Sequence, residues 1–128
     1  MKIYYREKSG GIEILRCFGI ESRVEIPGMI DGKLVISAVP YAFSSHMDEK
    51  EDLKNASLWE VSDGLEFGRE EHVLAGNDVE EIVFPYTLKE IGRYIFYGCG
   101  NLKKLEFSDS LMQIGCGAFT GCHALEKL

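Results

Sequence analysis

The last fifty residues of the chain repeat one pattern of apolar, polar and glycine positions. Residues 79–99 align without a gap on residues 102–122, at an offset of 102 − 79 = 23. The alignment places Phe84 over Phe107, Ile91 over Ile114, Phe96 over Phe119 and Cys99 over Cys122. A fixed period of about 20–50 residues is typical of a solenoid, in which each repeat stacks on the next. The pattern therefore predicts stacked coils with equivalent side chains in contact.

Each repeat contains two short apolar runs and a glycine-bounded aromatic corner. Leu105 and Phe107 alternate with polar residues, which predicts a short strand with these two side chains inward. Gly115 and Gly117 flank the bend that follows the second run, where glycine tolerates a positive φ. One repeat has too few inward side chains to fold alone, so the strands must stack as parallel neighbours about 4.8 Å apart.

The first 46 residues predict a cap and a degenerate repeat. Strand-like runs at residues 2–7 and 12–18 flank a glycine-rich turn, which favours a β-hairpin over residues 1–22. A solenoid needs such a cap because its first coil has an open strand edge. Residues 23–46 form the degenerate first repeat, in which residues 24–27 correspond to residues 82–85 and residues 41–43 to residues 94–96. Residues 28–33 are a lengthened turn.

Residues 47–78 are the least regular part of the chain. They contain a charged run at residues 48–54 and the single tryptophan, Trp59. Phe43 and Phe96 are 53 residues apart, which is two periods plus seven residues. We expect an irregular coil or an insertion here, within one domain whose residues 79–128 hold two regular repeats and the start of a third.

The repeat motif resembles a known family. Residues 79–128 contain the pattern L-x-x-L-x-F/P followed by L-x-x-I-G-x-x-A/I-F-x-G-C. Residues 23–46 contain the related elements V-x-I-P, D-G-K-x-V and A-F. This motif resembles the BspA-like leucine-rich repeats, known from bacterial surface proteins and some protozoa. Ile95 departs from the usual alanine, and the turn at residues 108–110 lacks the proline that Pro85 supplies. The resemblance implies a leucine-rich repeat solenoid, β-rich within the α/β horseshoe class, and the N-terminal portion of a longer bacterial repeat protein.

Composition excludes several partners. The net charge of −7 and the pI near 5.0 argue against nucleic acid and anionic membranes, which attract basic surfaces. No apolar run approaches the ~18 residues of a membrane span, which argues against membrane insertion. Residues 1–7 lack the hydrophobic core of a signal peptide, so we expect a cytoplasmic chain. The family resemblance implies a surface or secreted location if the chain is a fragment.

The sequence contains no recognisable catalytic motif, so we predict a protein that is not an enzyme and has no cofactor. Cys99, Cys116, Cys122 and His123 have the chemistry of zinc ligands but lack C-x₂-C spacing, and we predict no metal. The period explains Cys99 and Cys122 as small core residues with free thiols. A Cys99–Cys122 disulfide, and a redox role for Cys17 or Cys116, are the less favoured alternatives.

Two surfaces are candidate binding sites. The strand face is the outward side of the first run of each repeat: Glu81, Val83, Lys104, Glu106 and Lys127. The tyrosine rim lies on the turns: Tyr86, Tyr94 and Tyr97. Solenoid surfaces commonly bind other macromolecules, so we predict a non-enzymatic scaffold for an unidentified protein or other macromolecular partner.

The alternative is a structural capping or spacer segment of a larger repeat protein, which self-associates without specific recognition. Residues 125–128 begin a coil that does not finish, and we expect this uncapped C-terminal end to favour self-association.

Overall fold

The computed structural model describes residues 1–46, 53–61, 72–73 and 79–125. Within these ranges the chain forms eleven strands and two main sheets. The strands are β1 (Lys2–Lys8), β2 (Gly11–Gly19), β3 (Arg23–Glu25), β4 (Met29–Ile30), β5 (Lys33–Ala38), β6 (Ser57–Glu60), β7 (His72–Val73), β8 (Glu81–Val83), β9 (Glu90–Ile91), β10 (Lys104–Glu106) and β11 (Gln113–Ile114).

Three coils stack through parallel strands on two of their sides. On the first side, β3, β8 and β10 pair in the order β10-β8-β3, with Val24 opposite Ile82 and Ile82 opposite Leu105. On the second side, β5, β9 and β11 pair in the order β11-β9-β5, with Ala38 opposite Ile91 and Ile91 opposite Ile114. The predicted solenoid of short stacked strands is therefore confirmed.

Backbone hydrogen bonds join the coils on the third side. Phe43 N donates to Ile95 O at 3.1 Å, and Phe96 N donates to Ala118 O at 3.2 Å. Turns replace strands on this side, but backbone N–H groups of each coil still donate hydrogen bonds to carbonyl oxygens of the next coil. This side carries the aromatic corners that the repeat pattern predicts.

Equivalent aromatic side chains lie on one another. The rings of Phe84 and Phe107 are nearly parallel, with centroids 5.1 Å apart and an interplanar angle of 7°. Phe96 and Phe119 stack in the same way at 5.9 Å and 13°. The core is a continuous column between the two sheets and the corners, and its largest fully buried side chains include Phe43, Phe96, Ile12, Ile14, Leu15, Ile82, Leu88, Ile95 and Leu102.

The N-terminal hairpin covers the first coil. β1 and β2 are antiparallel around Ser9 and Gly10, whose φ angles of 53° and 79° suit a two-residue hairpin turn. β2 then pairs in parallel with β5, so it occupies the strand edge that the first coil would otherwise expose. The predicted N-terminal β-hairpin cap is confirmed.

The first coil packs directly on the second, without a coil between them. β3 pairs with β8 at an offset of 81 − 23 = 58, and β5 pairs with β9 at an offset of 90 − 37 = 53. The five-residue difference is the lengthened turn of β4 and β5, where Asp31 and Gly32 have φ angles of 52° and 75°.

The described part of residues 47–78 pairs with the hairpin. β6 runs antiparallel to β1, with Trp59 opposite Ile3, and β7 runs antiparallel to β2. Trp59 is partly buried against the core. The irregular coil or insertion at residues 47–78 stays a prediction, and the charged run at residues 48–52 lies outside the described residues.

Candidate functional site

The structure places four of the five strand-face residues on adjacent strands. Glu81 and Val83 lie on β8, Lys104 and Glu106 lie on β10, and the register sets Glu81 beside Lys104 and Val83 beside Glu106. Lys127 lies outside the described residues. The residues between them, Ile82 and Leu105, are buried.

The charges of this face compensate one another. Arg23 on β3 bonds Glu25 at 2.7 Å and lies 3.4 Å from Glu81. Lys103 and Glu80 form a further pair at 3.5 Å at the start of the same strands. Such exposed ion pairs contribute about 0–1 kcal/mol each. None of the described residues of the strand face is an aromatic residue that could anchor a partner.

The three tyrosines of the predicted rim do not lie together. Tyr94 and Tyr97 are in edge-to-face contact at 5.9 Å, and both contact the ring of Tyr41 from the first coil. Tyr86 is 74% exposed and makes no ring contact with the described aromatic residues. His46 joins the group through an edge-to-face contact with Tyr97 at 4.7 Å. We call Tyr41, Tyr94, Tyr97 and His46 the tyrosine cluster.

Two members of the tyrosine cluster occupy a backbone position that suits glycine. Tyr41 and Tyr94 have φ angles of 61° and 52°, and the equivalent residue of the third coil is Gly117, with a φ of 67°. A β-carbon at Gly117 would lie 2.3 Å from Cε1 of Tyr94, so the Tyr94 ring fills the space above that glycine. A positive φ at a non-glycine residue costs on the order of 1 kcal/mol. This unfavourable backbone conformation occurs in two successive coils.

A buried arginine holds the corner that carries Tyr41. Nη1 of Arg16 donates to the carbonyl oxygens of Tyr41 and His46 at 2.8 and 2.7 Å. Arg16 is 4% exposed, and its Nε has no hydrogen-bond partner among the described residues. Burial lowers the pKa of the Arg16 guanidinium, because the low-dielectric interior disfavours its charge. Arg16 therefore connects β2 of the hairpin to the tyrosine cluster.

Packing or hydrogen bonds account for three of the four cysteines, Cys17, Cys99 and Cys122. Sγ of Cys99 donates to Phe43 O at 3.4 Å, and Sγ of Cys122 donates to Phe96 O at 3.3 Å, so each thiol bonds the preceding coil. All four thiols are free, and Cys116 alone is exposed among them. Burial raises the pKa of the Cys17 and Cys122 thiols, which opposes thiolate chemistry at both. Among the described residues no three His, Cys, Asp or Glu side chains come together as metal ligands.

A groove of about 410 Å³ crosses the second sheet, and the repeat pattern did not indicate it. Glu13, Glu90 and Gln113 line it, and they are in register across the sheet with the buried Ser37, which lines an adjoining groove. Arg6, Lys8 and Arg93 stand around this row. We call it the polar groove. Its volume lies within the range of about 300–1,000 Å³ that is usual for ligand sites.

A buried carboxylate organises one end of the polar groove. Glu13 is 4% exposed and accepts hydrogen bonds from Nε and Nη2 of Arg6 at 2.9 and 2.8 Å. It also accepts from Nζ of Lys8 at 3.1 Å and from Oγ of Ser37 at 3.3 Å. These bonds fix two cations of β1 above the sheet.

The residues predicted from the sequence include Tyr94 and Tyr97 of the tyrosine cluster, but not Tyr41, His46 or the residues of the polar groove. The alignment of residues 41–43 with residues 94–96 already pointed to Tyr41, because equivalent residues stack. Nothing in the repeat pattern indicates the groove, since Arg6, Lys8 and Glu13 belong to the hairpin.

Parallel strands stacked coil on coil, with apolar residues inward at a fixed period, are features of a leucine-rich repeat solenoid. Residues 70–128 match the model of the BspA type leucine rich repeat region. This match confirms, over these residues, the resemblance to the BspA-like leucine-rich repeats.

Two solved structures have the same fold. A leucine rich repeat protein of T. pallidum matches with a TM-score of 0.69 and 24% identity over 96% of this chain. A leucine rich cell surface protein of Faecalibacterium prausnitzii A2-165 matches with a TM-score of 0.64 and 19% identity over 98% of this chain. This chain spans 44% and 28% of their lengths, respectively. No curated protein matches the sequence.

The described residues include no helix with the length and apolar character that a membrane crossing requires.

Proposed function

We propose that this chain is a non-enzymatic scaffold that binds a protein partner through the tyrosine cluster. The observation that carries the proposal is the pair of tyrosines at a positive-φ position, where the third coil has glycine. Backbone strain of this kind often accompanies function, because stability alone would favour glycine.

The composition of the cluster supports the proposal. Tyrosine provides a large rigid contact surface with a polar end, and it is enriched among the residues that dominate binding energy. Tyr41 and Tyr94 stack at 5.6 Å with an interplanar angle of 17°, and Tyr97 meets both edge to face. The rings are only half-buried, so part of this preorganised surface stays accessible to a partner.

The proposal is tested by replacing Tyr41 and Tyr94 together with glycine. Both substitutions suit the local φ, so we expect the protein to remain folded while it loses the stacked rings. Purified wild-type and Tyr41→Gly/Tyr94→Gly proteins are each used to capture partners from a lysate of the source organism. A captured protein is then purified and its affinity for both forms is measured by calorimetry. We expect the double variant to bind at least about tenfold more weakly, which corresponds to about 1.4 kcal/mol.

Tyr86→Ala is the matched control, because Tyr86 is an exposed tyrosine outside the cluster. It should bind as the wild type does. Equal losses in the control and in the double variant would refute the cluster as the binding surface. If the double variant and the wild type retain the same proteins, the tyrosine cluster is not the binding surface. If neither form retains a specific partner, the alternative is favoured, a structural spacer without specific recognition.

The strand face remains a second candidate surface. Its mutually compensating charges and lack of aromatic side chains make it the weaker one. A combined change of Glu81, Val83, Lys104 and Glu106 tests it in the same capture experiment, and loss of the partner in that variant alone would move the site there. Self-association also remains a proposal, which sedimentation of the purified chain at high concentration tests.

A further inference from the structure

We infer that the polar groove binds an acidic peptide segment, with its carboxylates held by Arg93 and by the cations that surround Glu13. The inference deepens the proposed function. It rests on that function in one respect, which is that the partner is a protein. It uses a site other than the tyrosine cluster, on the hairpin and the second sheet.

The charge around the groove is opposite in sign to that of the whole chain. Three cations and two carboxylates line it, which gives a local balance of 3 − 2 = +1. An adjoining groove of about 200 Å³ shares Lys8 and Glu90 and adds Lys89, which raises the balance to 4 − 2 = +2. The chain as a whole carries −7. A local positive region in an acidic protein attracts anionic groups and directs them to one place.

The geometry around Glu13 keeps this charge in position. Burial of a carboxylate is costly unless it is paired and hydrogen-bonded, and Glu13, at 4% exposed, has two cations and a hydroxyl as partners. The side chains of Arg6 and Lys8 are about half exposed, at 49% and 53%, so their outer parts face the groove and the solvent. Arg93 is exposed and lines the same groove. A ligand carboxylate would therefore meet two cations that Glu13 holds in place, together with Arg93.

The shape of the groove favours an extended peptide. Its floor crosses four strands, from β2 through β5 and β9 to β11. Three strand spacings of about 4.8 Å make about 14 Å, which is the length of about four extended residues. Glu90 and Gln113 supply hydrogen-bond acceptors and a donor for the amide groups of such a segment.

The probe is tetraglutamate, acetylated and amidated at its ends and carrying a fluorophore. Its binding is measured by fluorescence anisotropy against the full chain, with tetraglutamine as the neutral peptide. We expect tetraglutamate to bind and tetraglutamine not to bind. Arg93→Gln should weaken binding about tenfold, and Lys89→Gln by a smaller factor. The hydrogen bonds of Glu13 come from Arg6, Lys8 and Ser37, so both changes leave them in place.

Lys103→Gln is the matched control, because it removes one positive charge at the sheet of β8 and β10, where Lys103 pairs with Glu80. It should bind tetraglutamate as the wild type does. Equal weakening by Arg93→Gln and Lys103→Gln would overturn the inference, since binding would then follow net charge alone. The absence of tetraglutamate binding would also overturn it.

Two further arms complete the test. Tetragalacturonate carries the same carboxylates on a sugar chain, and binding of this probe without tetraglutamate binding would replace the peptide by an acidic glycan. The Tyr41→Gly/Tyr94→Gly variant should bind tetraglutamate normally. The proposal for the polar groove and the proposal for the tyrosine cluster are therefore tested independently.

Discussion

At the scale of single residues, glycines mark the points where successive coils approach most closely. A β-carbon at Gly92 would lie 2.3 Å from the backbone nitrogen of Pro40 and 2.6 Å from the carbonyl carbon of Val39. At Gly115, one repeat later, it would lie 2.2 Å from the backbone nitrogen of Arg93. These neighbours are main-chain atoms that cannot rotate away. The glycine of the I-G motif is therefore required by space between coils.

We predict that Gly92→Ala destabilises the protein by about 1–3 kcal/mol or more, because the coils must separate to admit the methyl group. Chemical denaturation monitored by circular dichroism measures this change. Gly100→Ala is the matched control, since a β-carbon there meets no atom within 4 Å and its φ is not positive. It should leave the stability unchanged or raise it slightly. Equal destabilisation by both substitutions would contradict the close-approach explanation.

At the scale of elements, the hairpin both covers the first coil and positions it. β2 pairs with β5, and beyond that strand Cys17 N donates to Ala42 O at 3.2 Å. Arg16 adds two bonds from its guanidinium to the carbonyls of the next corner. The hairpin therefore contacts the first coil on its second and third sides, while the sheet of β3, β8 and β10 is built from the coils alone.

We predict that Arg16→Met destabilises the protein by about 2–3 kcal/mol, because it leaves two carbonyl groups at the buried corner without their charged donor. The same denaturation experiment measures the loss, and the NMR signals of Tyr41 and Tyr97 should broaden or shift. Arg23→Met is the control, since Arg23 is half exposed and forms only surface ion pairs. It should cost less than about 1 kcal/mol. A similar small cost for Arg16→Met would show that its bonds do not hold the corner.

At the scale of the whole molecule, burial depends on how many coils lie beside a residue. Ile91 has a neighbouring coil on both sides and is 3% exposed, whereas the equivalent Ile114 pairs with β9 on one side and is 51% exposed. Burial differs in the same way between Phe96 and Phe119. Phe96 is fully buried between Phe43 and Phe119, whereas Phe119 is only partly buried. Equivalent residues therefore contribute unequally to stability.

We predict that Phe96→Ala costs about 3–5 kcal/mol, the usual range for a buried phenylalanine. Phe119→Ala should cost about half as much, because that ring has one stacking partner and some solvent contact. The free energies of unfolding of both variants measure the difference. Equal costs would mean that the two coils are equally enclosed in solution.

The repeat period alone determined the coil architecture, the inward side chains and the parallel register. The physical reason is that a fixed spacing of apolar residues can bury them all only if equivalent residues stack. The sequence also predicted the hairpin, because Ser9 and Gly10 between two strand-like runs favour a tight turn. The alignment of residues 41–43 with residues 94–96 indicated that Tyr41 stacks on Tyr94. It did not indicate that Tyr86 lies apart from these tyrosines.

Only the tertiary structure decided where the hairpin and the irregular segment attach, and hence which charges meet. Arg6, Lys8 and Glu13 have no period, so their position over β5, β9 and β11 depends on the pairing of β2 with the first coil. The direct contact of β3 with β8 likewise could not be read from a spacing of two periods plus seven residues. Repetition encodes contacts between equivalent residues, whereas contacts between unlike segments depend on packing that no local pattern records.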